Sequence, residues 1–141
     1  MNAWFFVEQN DLQTGDRLIT EKGPFSRHHS IFVQVLNGVP LVAENQAGKG
    51  VQYITLEDFL LRTGSGKIWI QKFVGTQSAR ESLIPRINAL VNTPYDLVNF
   101  NCEHFANLIQ TGVVASKQVA VAVLGVIVIG IGFLAFGGNK R

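Results

Sequence analysis

Residues 99–110 read NFNCEHFANLIQ and contain the single cysteine of a 141-residue chain. Phe105, Leu108 and Ile109 follow it at helical spacing, which predicts a helix from Cys102 to Gln110 with one face against a sheet. Asn101 is a good N-cap residue, so Cys102 falls at the first helical position. Unpaired backbone N–H groups and the helix dipole favour a thiolate there. The same N–H groups can receive the oxyanion of a tetrahedral intermediate. A free cysteine is also a common small core residue, and the choice between nucleophile and core turns on what stands beside it.

A thiol nucleophile needs a base, most often histidine, and a third group that orients the base. The chain has three histidines, His28, His29 and His104. His104 lies two residues after Cys102 on the same helix, where side chains diverge, so it is a poor base and instead caps or packs near the helix start. His28 and His29 open the β-branched and aromatic run HHSIFVQVL, read as a strand over 29–36. Neighbouring strand residues point to opposite faces, so only one of the two can meet Cys102. The plain alternative is a pair of surface histidines at a strand end.

Working outward, Ala3 to Val7 reads as a first strand or as an aromatic lip facing a membrane. A turn at Thr14-Gly15-Asp16 precedes a short strand at 17–20, and EKGPFSR reads as a loop around Gly23-Pro24. Asn37-Gly38 is a hairpin signal with VPLVAEN as the return strand. QAGKG is a turn and VQYI a further strand. Thr55 caps a short helix, LEDFLLRT, ended by Gly64 and favoured by Glu57 and Asp58 in its first turn. KIWIQKFV alternates as a strand. Leu83, Ile84, Ile87, Leu90 and Val91 mark a second helix, expected to start near Ser82 with Pro85 in its first turn. NTPYDLVNFN is a loop. An antiparallel sheet followed by two helices is an α+β arrangement.

Apolar residues make up 47% of the chain, and the excess sits in residues 119–136, VAVAVLGVIVIGIGFLAF, which carry no charged or polar side chain. As a helix these residues span ~27 Å, enough for a bilayer core. Lys117 and Lys140-Arg141 bracket them. The preceding domain is too small to wrap a helix that is apolar on every side, so a membrane anchor is expected rather than a buried core helix. The expected organisation is a catalytic domain over 1–114, a juxtamembrane linker over 115–118 and a transmembrane helix over 119–138. The N-terminus lacks the basic start and long apolar run of a signal peptide. Insertion would then follow translation and leave the domain facing the cytosol, with the phospholipid membrane as partner. A net charge of +2 with no basic stripe argues against nucleic acid. One cysteine cannot form an internal disulfide. The histidines and the cysteine lack metal-ligand spacing, and neither a metal nor a cofactor is called for. The oligomeric state is left unassigned.

Asn101-Cys102-Glu103-His104-Phe105 resembles the signature of the lecithin:retinol acyltransferase family, most closely its phospholipase A/acyltransferase (H-Ras-like suppressor) group. TGDRLI, PFSRHHSIFV, LIPRINALV and NCEHFANLIQTGVVAS occur in the family's order, followed by an apolar tail, so the resemblance covers nearly the whole chain. It implies a circularly permuted papain-like domain with the histidine strand ahead of the cysteine helix. It also implies that His28 is the base and that Cys102 forms a thioester with the acyl group of a phospholipid ester, which water or an amine then takes. One departure stands out. The group's third member is a histidine on the next strand, which here reads Leu41-Val42-Ala43-Glu44-Asn45. Matching the apolar residues puts Glu44 at that place and Asn45 on the other face. A carboxylate would stabilise an imidazolium and an amide would fix its tautomer. Glu44 is the preferred third residue and Asn45 the alternative. Two other functions share these features: a cysteine peptidase or amidase of the permuted papain-like class, and a membrane-bound adaptor that keeps the fold without activity.

Overall fold

The computed structural model describes residues 2–120. It is an α+β domain built on five antiparallel strands: β1 (Arg17–Gly23), β2 (Ser26–Leu36), β3 (Val39–Gln46), β4 (Gly50–Thr55) and β5 (Ile68–Gln71). Their spatial order is β4-β3-β2-β1-β5. Among the described residues the sheet packs with helices α1 (Ala3–Gln9), α2 (Leu56–Thr63), α3 (Gln77–Leu90) and α4 (Cys102–Thr111). Among the described residues no helix is long and apolar enough to cross a membrane. The anchor expected at 119–138 lies outside them except for Val119 and Ala120.

Each face of the sheet carries its own core. Leu18, Phe32 and Val42 pack with Ala3 and Phe6 of α1 and with Leu56, Phe59 and Leu60 of α2. Ile31, Val33, Ala43 and Val51 pack on the other face with Leu83 and Ile87 of α3 and with Phe105, Ala106 and Ile109 of α4. The strands are therefore apolar on alternate residues toward two different helical layers, as period-2 geometry requires. Asn37 and Gly38 both have positive φ, at 49° and 78°, which is the backbone of a tight primed hairpin turn between β2 and β3.

Four sequence expectations are corrected. The AWFF stretch forms helix α1 and not a strand. Asn2 caps it by accepting from the Trp4 amide, and Ala3 and Phe6 bury one face three residues apart. Helix α3 starts at Gln77, because the Thr76 side chain accepts from the Ala79 amide and caps it there. Pro85 consequently lies inside the helix, where it has no N–H to give the Glu81 carbonyl, and both residues are exposed. The EKGPFSR loop contracts to Pro24-Phe25, since β1 runs on to Gly23 and β2 begins at Ser26.

The KIWIQKFV strand also ends early, at Gln71, for a reason found in a buried carboxylate. Asp16 Oδ1 accepts from the Phe73 amide at 3.0 Å and from Arg80 Nη1 at 3.1 Å, while its Oδ2 accepts from the Gln13 amide and from Lys72 Nζ at 3.0 Å. The start of β1, the end of β5 and the first turn of α3 are thus drawn onto one group. A second tie fixes the approach to α4. Val51 donates to the Thr93 carbonyl and Asn92 donates to the Val51 carbonyl, each at 2.9 Å. Gly50 allows this approach: its φ is +78°, and a Cβ there would run into the Thr93 carbonyl oxygen.

Candidate active site

The β2–β3 ladder runs from Leu36↔Val39 to Ser30↔Glu44 and stops there, although β2 extends four residues further, to Ser26. Phe32 exchanges backbone hydrogen bonds with Gly15 and Asp16 on the β1 side. By strand alternation the backbone groups of Arg27 and His29 face the other side, where β3 has parted from β2. The start of α4 fills that gap. Cys102 Sγ lies 3.6 Å from the Arg27 carbonyl oxygen, and the neighbouring His29 amide helps to lower the thiol pKa. Asn45 secures the approach by donating to the Phe100 carbonyl at 2.7 Å.

The first turn of α4 is capped from both directions. Asn101 Oδ1 accepts from the Glu103 amide at 2.9 Å and from the His104 amide at 3.1 Å, and His104 Nδ1 accepts from the Asn101 amide at 3.2 Å. His104 is therefore a capping residue. The Phe105 amide is taken by the Asn101 carbonyl. Among the described residues no acceptor meets the Cys102 amide, which leaves one N–H at the positive end of the helix beside the sulfur.

His28 and His29 divide as alternation demands. His28 Nε2 lies 2.7 Å from Glu44 Oε2, and Cys102 is close enough to be among the groups that raise the His28 pKa. With Nε2 on the carboxylate, Nδ1 is the nitrogen left for the thiol. The side chain of His29 turns to the opposite face, where its Nδ1 accepts from Arg17 Nε at 2.9 Å; Arg17 also donates to Asn107 of α4 at 2.7 Å. His29 thus offers the sulfur its backbone and not its ring.

Glu44 has no solvent exposure. Beyond His28 it accepts from Arg62 Nη1 at 2.9 Å, from Arg62 Nη2 at 2.5 Å and from Gln52 Nε2 at 3.1 Å. A buried carboxylate needs such partners to stay charged. Burial works to raise its pKa, but the hydrogen bonds and charges of His28 and Arg62 outweigh it and hold Glu44 at about 2. Arg62 and Gln52 had no signal in the sequence as site residues. Their only local marks were a cation in the last turn of α2 and a polar position on β4.

The pKa values of Cys102 and His28 shift toward each other. Burial pushes the Cys102 thiol up, yet the hydrogen bond and charge of His28, with the His29 amide, bring it below its ordinary value. Burial also disfavours charge on His28, but hydrogen bonds to Cys102 and Glu44 and the charges of both raise its pKa. For His29, burial and then the Arg17 charge push the pKa down to about 4, so it stays neutral near neutral pH. The structure therefore brings Cys102, His28 and Glu44 together and keeps Asn45, His29 and His104 in other contacts. Among the described residues no group of three or more His, Cys, Asp or Glu side chains is arranged to hold a metal ion.

A groove of about 460 Å³ opens onto Cys102, lined in part by Phe25, Tyr95, Leu97, Val98 and Val119. A smaller pocket of about 260 Å³ is lined by His28 together with Lys22, Arg62 and Lys67. No protein-family model matches this chain, and no curated protein matches it.

Proposed function

We propose that this chain is a thiol acyl hydrolase or acyltransferase that acts on phospholipid acyl esters and is anchored by residues 119–138. The observation that carries the reading is the order Cys102–His28–Glu44, with the sulfur at a helix start and one amide free beside it. A helix-start cysteine, a histidine on a central strand and an orienting group on the next strand suit the permuted papain-like fold that the sequence resembles. The lecithin:retinol acyltransferase family, and its phospholipase A/acyltransferase group, is the assignment most consistent with that order.

In the proposed reaction His28 holds the proton of Cys102, and the thiolate attacks the ester carbonyl carbon to form an S–C bond. The carbonyl oxygen takes the negative charge next to the Cys102 amide, which stabilises it. His28 then gives its proton to the leaving alkoxide as the C–O bond breaks, releasing the lysolipid and leaving a thioester. Water or an amine loses a proton to His28, attacks the thioester carbon and returns the thiolate. Glu44 keeps the imidazole oriented and favours its charged form.

Loss of the second histidine is the main argument for an inactive adaptor. A buried carboxylate hydrogen-bonded to His28 fills the orienting role and weakens that argument. The test is mass spectrometry of the full chain incubated with phosphatidylcholine vesicles, alongside Cys102→Ser. A fatty-acyl mass added at Cys102, with lipid hydrolysis abolished by the serine variant, supports the reading. Hydrolysis unchanged in Cys102→Ser would sink it. A peptidyl adduct in place of a fatty-acyl one would favour the peptidase or amidase class.

A further inference from the structure

Three large apolar side chains stand in water around the mouth of the Cys102 groove. Phe25 is 97% exposed, Leu97 69% and Val98 57%. Two separate backbone devices hold them out. Phe25 occupies the tip of the tight turn between β1 and β2. Leu97 and Val98 ride on a turn closed by Asp96, whose Oδ1 accepts from the Val98 amide at 2.9 Å and the Asn99 amide at 2.8 Å, while Asp96 and Phe100 pair as an isolated bridge. An apolar cluster fixed at the rim of a groove marks an interaction surface and not a scatter of single residues. Exposed Lys22, Arg27 and Lys117 stand around it.

The course of the chain identifies what meets this surface. After α4 the backbone is drawn back to the site: Glu103 Oε2 accepts from the Ser116 hydroxyl at 2.6 Å and from the Gln118 amide at 3.0 Å. Gln118 Oε1 in turn accepts from the Arg27 amide at 2.9 Å. Val119, the first residue of the apolar segment 119–136, is itself part of the groove wall. The segment read as a bilayer anchor thus leaves the domain at the groove mouth, among Phe25, Leu97 and Val98. The other aromatic cluster, Trp4 and Phe5, lies at the far end of the sheet, where Trp4 Nε1 donates to the Gly38 carbonyl in the β2–β3 hairpin at 3.1 Å.

We infer that the Phe25–Leu97–Val98 rim is a lipid-docking surface that inserts into the bilayer interface and opens the groove directly to an acyl chain. It rests on the membrane anchor of the proposed function, but not on catalysis. The surrounding cations fit the phosphate layer, where basic residues next to a membrane surface are attracted. This places the sulfur above the interface with the apolar wall of the groove continuous with the lipid. The AWFF stretch, at the opposite end, faces away from the bilayer in this orientation.

The test uses the full chain with Cys102→Ser as background, reconstituted into vesicles of phosphatidylcholine and phosphatidylserine. Single cysteines at positions 25, 97, 5 and 74 carry an environment-sensitive fluorophore; Phe5 and Val74 are the exposed controls, at 58% and 94%. Positions 25 and 97 are expected to show at least about a two-fold emission gain and quenching by spin-labelled lipid. Positions 5 and 74 should be quenched by aqueous iodide. Iodide quenching at all four sites on chains that still sediment with vesicles would overturn the docking surface and leave the anchor standing. Shielding of 25 and 97 from both quenchers would also overturn it, because the rim would then be covered by residues 119–136 or a second copy. Chains that fail to sediment with vesicles would overturn both docking and anchor, while the fatty-acyl adduct at Cys102 would still report separately on the chemistry.

Discussion

His28 donates from Nε2 to Glu44 Oε2 across 2.7 Å, and Glu44 is wholly buried. The carboxylate therefore acts on the imidazole with little solvent screening. It raises the His28 pKa, and through His28 it helps to lower that of Cys102. An ion-pair mechanism then gives a bell-shaped rate profile that rises as Cys102 ionises and falls as His28 loses its proton. Glu44→Gln keeps the shape and one hydrogen bond but removes the charge. His28 should then titrate lower and Cys102 higher, so the bell narrows from both sides. The expected loss in kcat/KM is roughly 10- to 100-fold, about 1.4–3 kcal/mol of transition-state stabilisation. An unchanged alkaline limb in a pH–rate profile of this variant would show that Glu44 does not tune His28.

Arg62 is the partner that keeps Glu44 charged when His28 is neutral. It binds both carboxylate oxygens from the last turn of α2, and its side chain is 39% exposed. Removing one member of a buried ion pair leaves the other uncompensated. Because Arg62 is partly solvated, the cost falls below that of a fully buried pair. Arg62→Met should lower stability by about 2 kcal/mol. It should also move the acid limb of the rate profile upward, as Glu44 protonates closer to its ordinary range. A purely structural Arg62 would shift the urea midpoint and leave that limb in place, so the two measurements together assign its role.

Parts of this site were legible in the sequence because their physics is local. The Asn101 cap and the Asn37-Gly38 turn each act within a few residues, and β2 and β3 lie either side of that turn. Matching the apolar residues of the return strand to the resembled family places Glu44, whereas a count from Leu36↔Val39 would set it opposite Ile31, on the face away from His28; the observed pair is Ser30↔Glu44. The count is not clean, since the β2–β3 register shifts between Phe32 and Gln34. That bulge has no sequence signature here. Ala3–Val7 reads as a strand or a lip because five apolar residues in a row carry no period, and the Asn2 cap is what makes the run a helix. The link from Arg62 to Glu44 crosses 18 positions and two elements. It depends on how α2 lies over the sheet, which no local pattern encodes. The same holds for the gap between β2 and β3 that receives Cys102.

His29 gives the sharpest solution test of the buried polar layer behind the sulfur. Its ring accepts from Arg17, with Glu103, His28 and Arg27 as the other charged neighbours, and its pKa falls to about 4 from an ordinary 6.5. A depressed folded-state pKa means that the unfolded chain binds the proton more tightly. The stabilising contribution of neutral His29 is therefore complete above pH 6.5 and is lost as pH falls toward 4. His28 has the opposite sign: its raised pKa adds stability that is full below 6.5 and lost as pH rises through the folded value. The wild-type curve mixes the two, so the comparison must be made against His29→Gln. Glutamine can still accept from Arg17 but does not titrate. Between pH 7 and pH 5 the wild type should lose about 2 kcal/mol relative to that variant, since each unit of pKa difference is worth about 1.4 kcal/mol. Urea unfolding of the full chain in detergent micelles at both pH values provides the measurement. Parallel shifts of the two proteins would mean that His29 is not held neutral, and that the Arg17–His29 contact does not exist in solution.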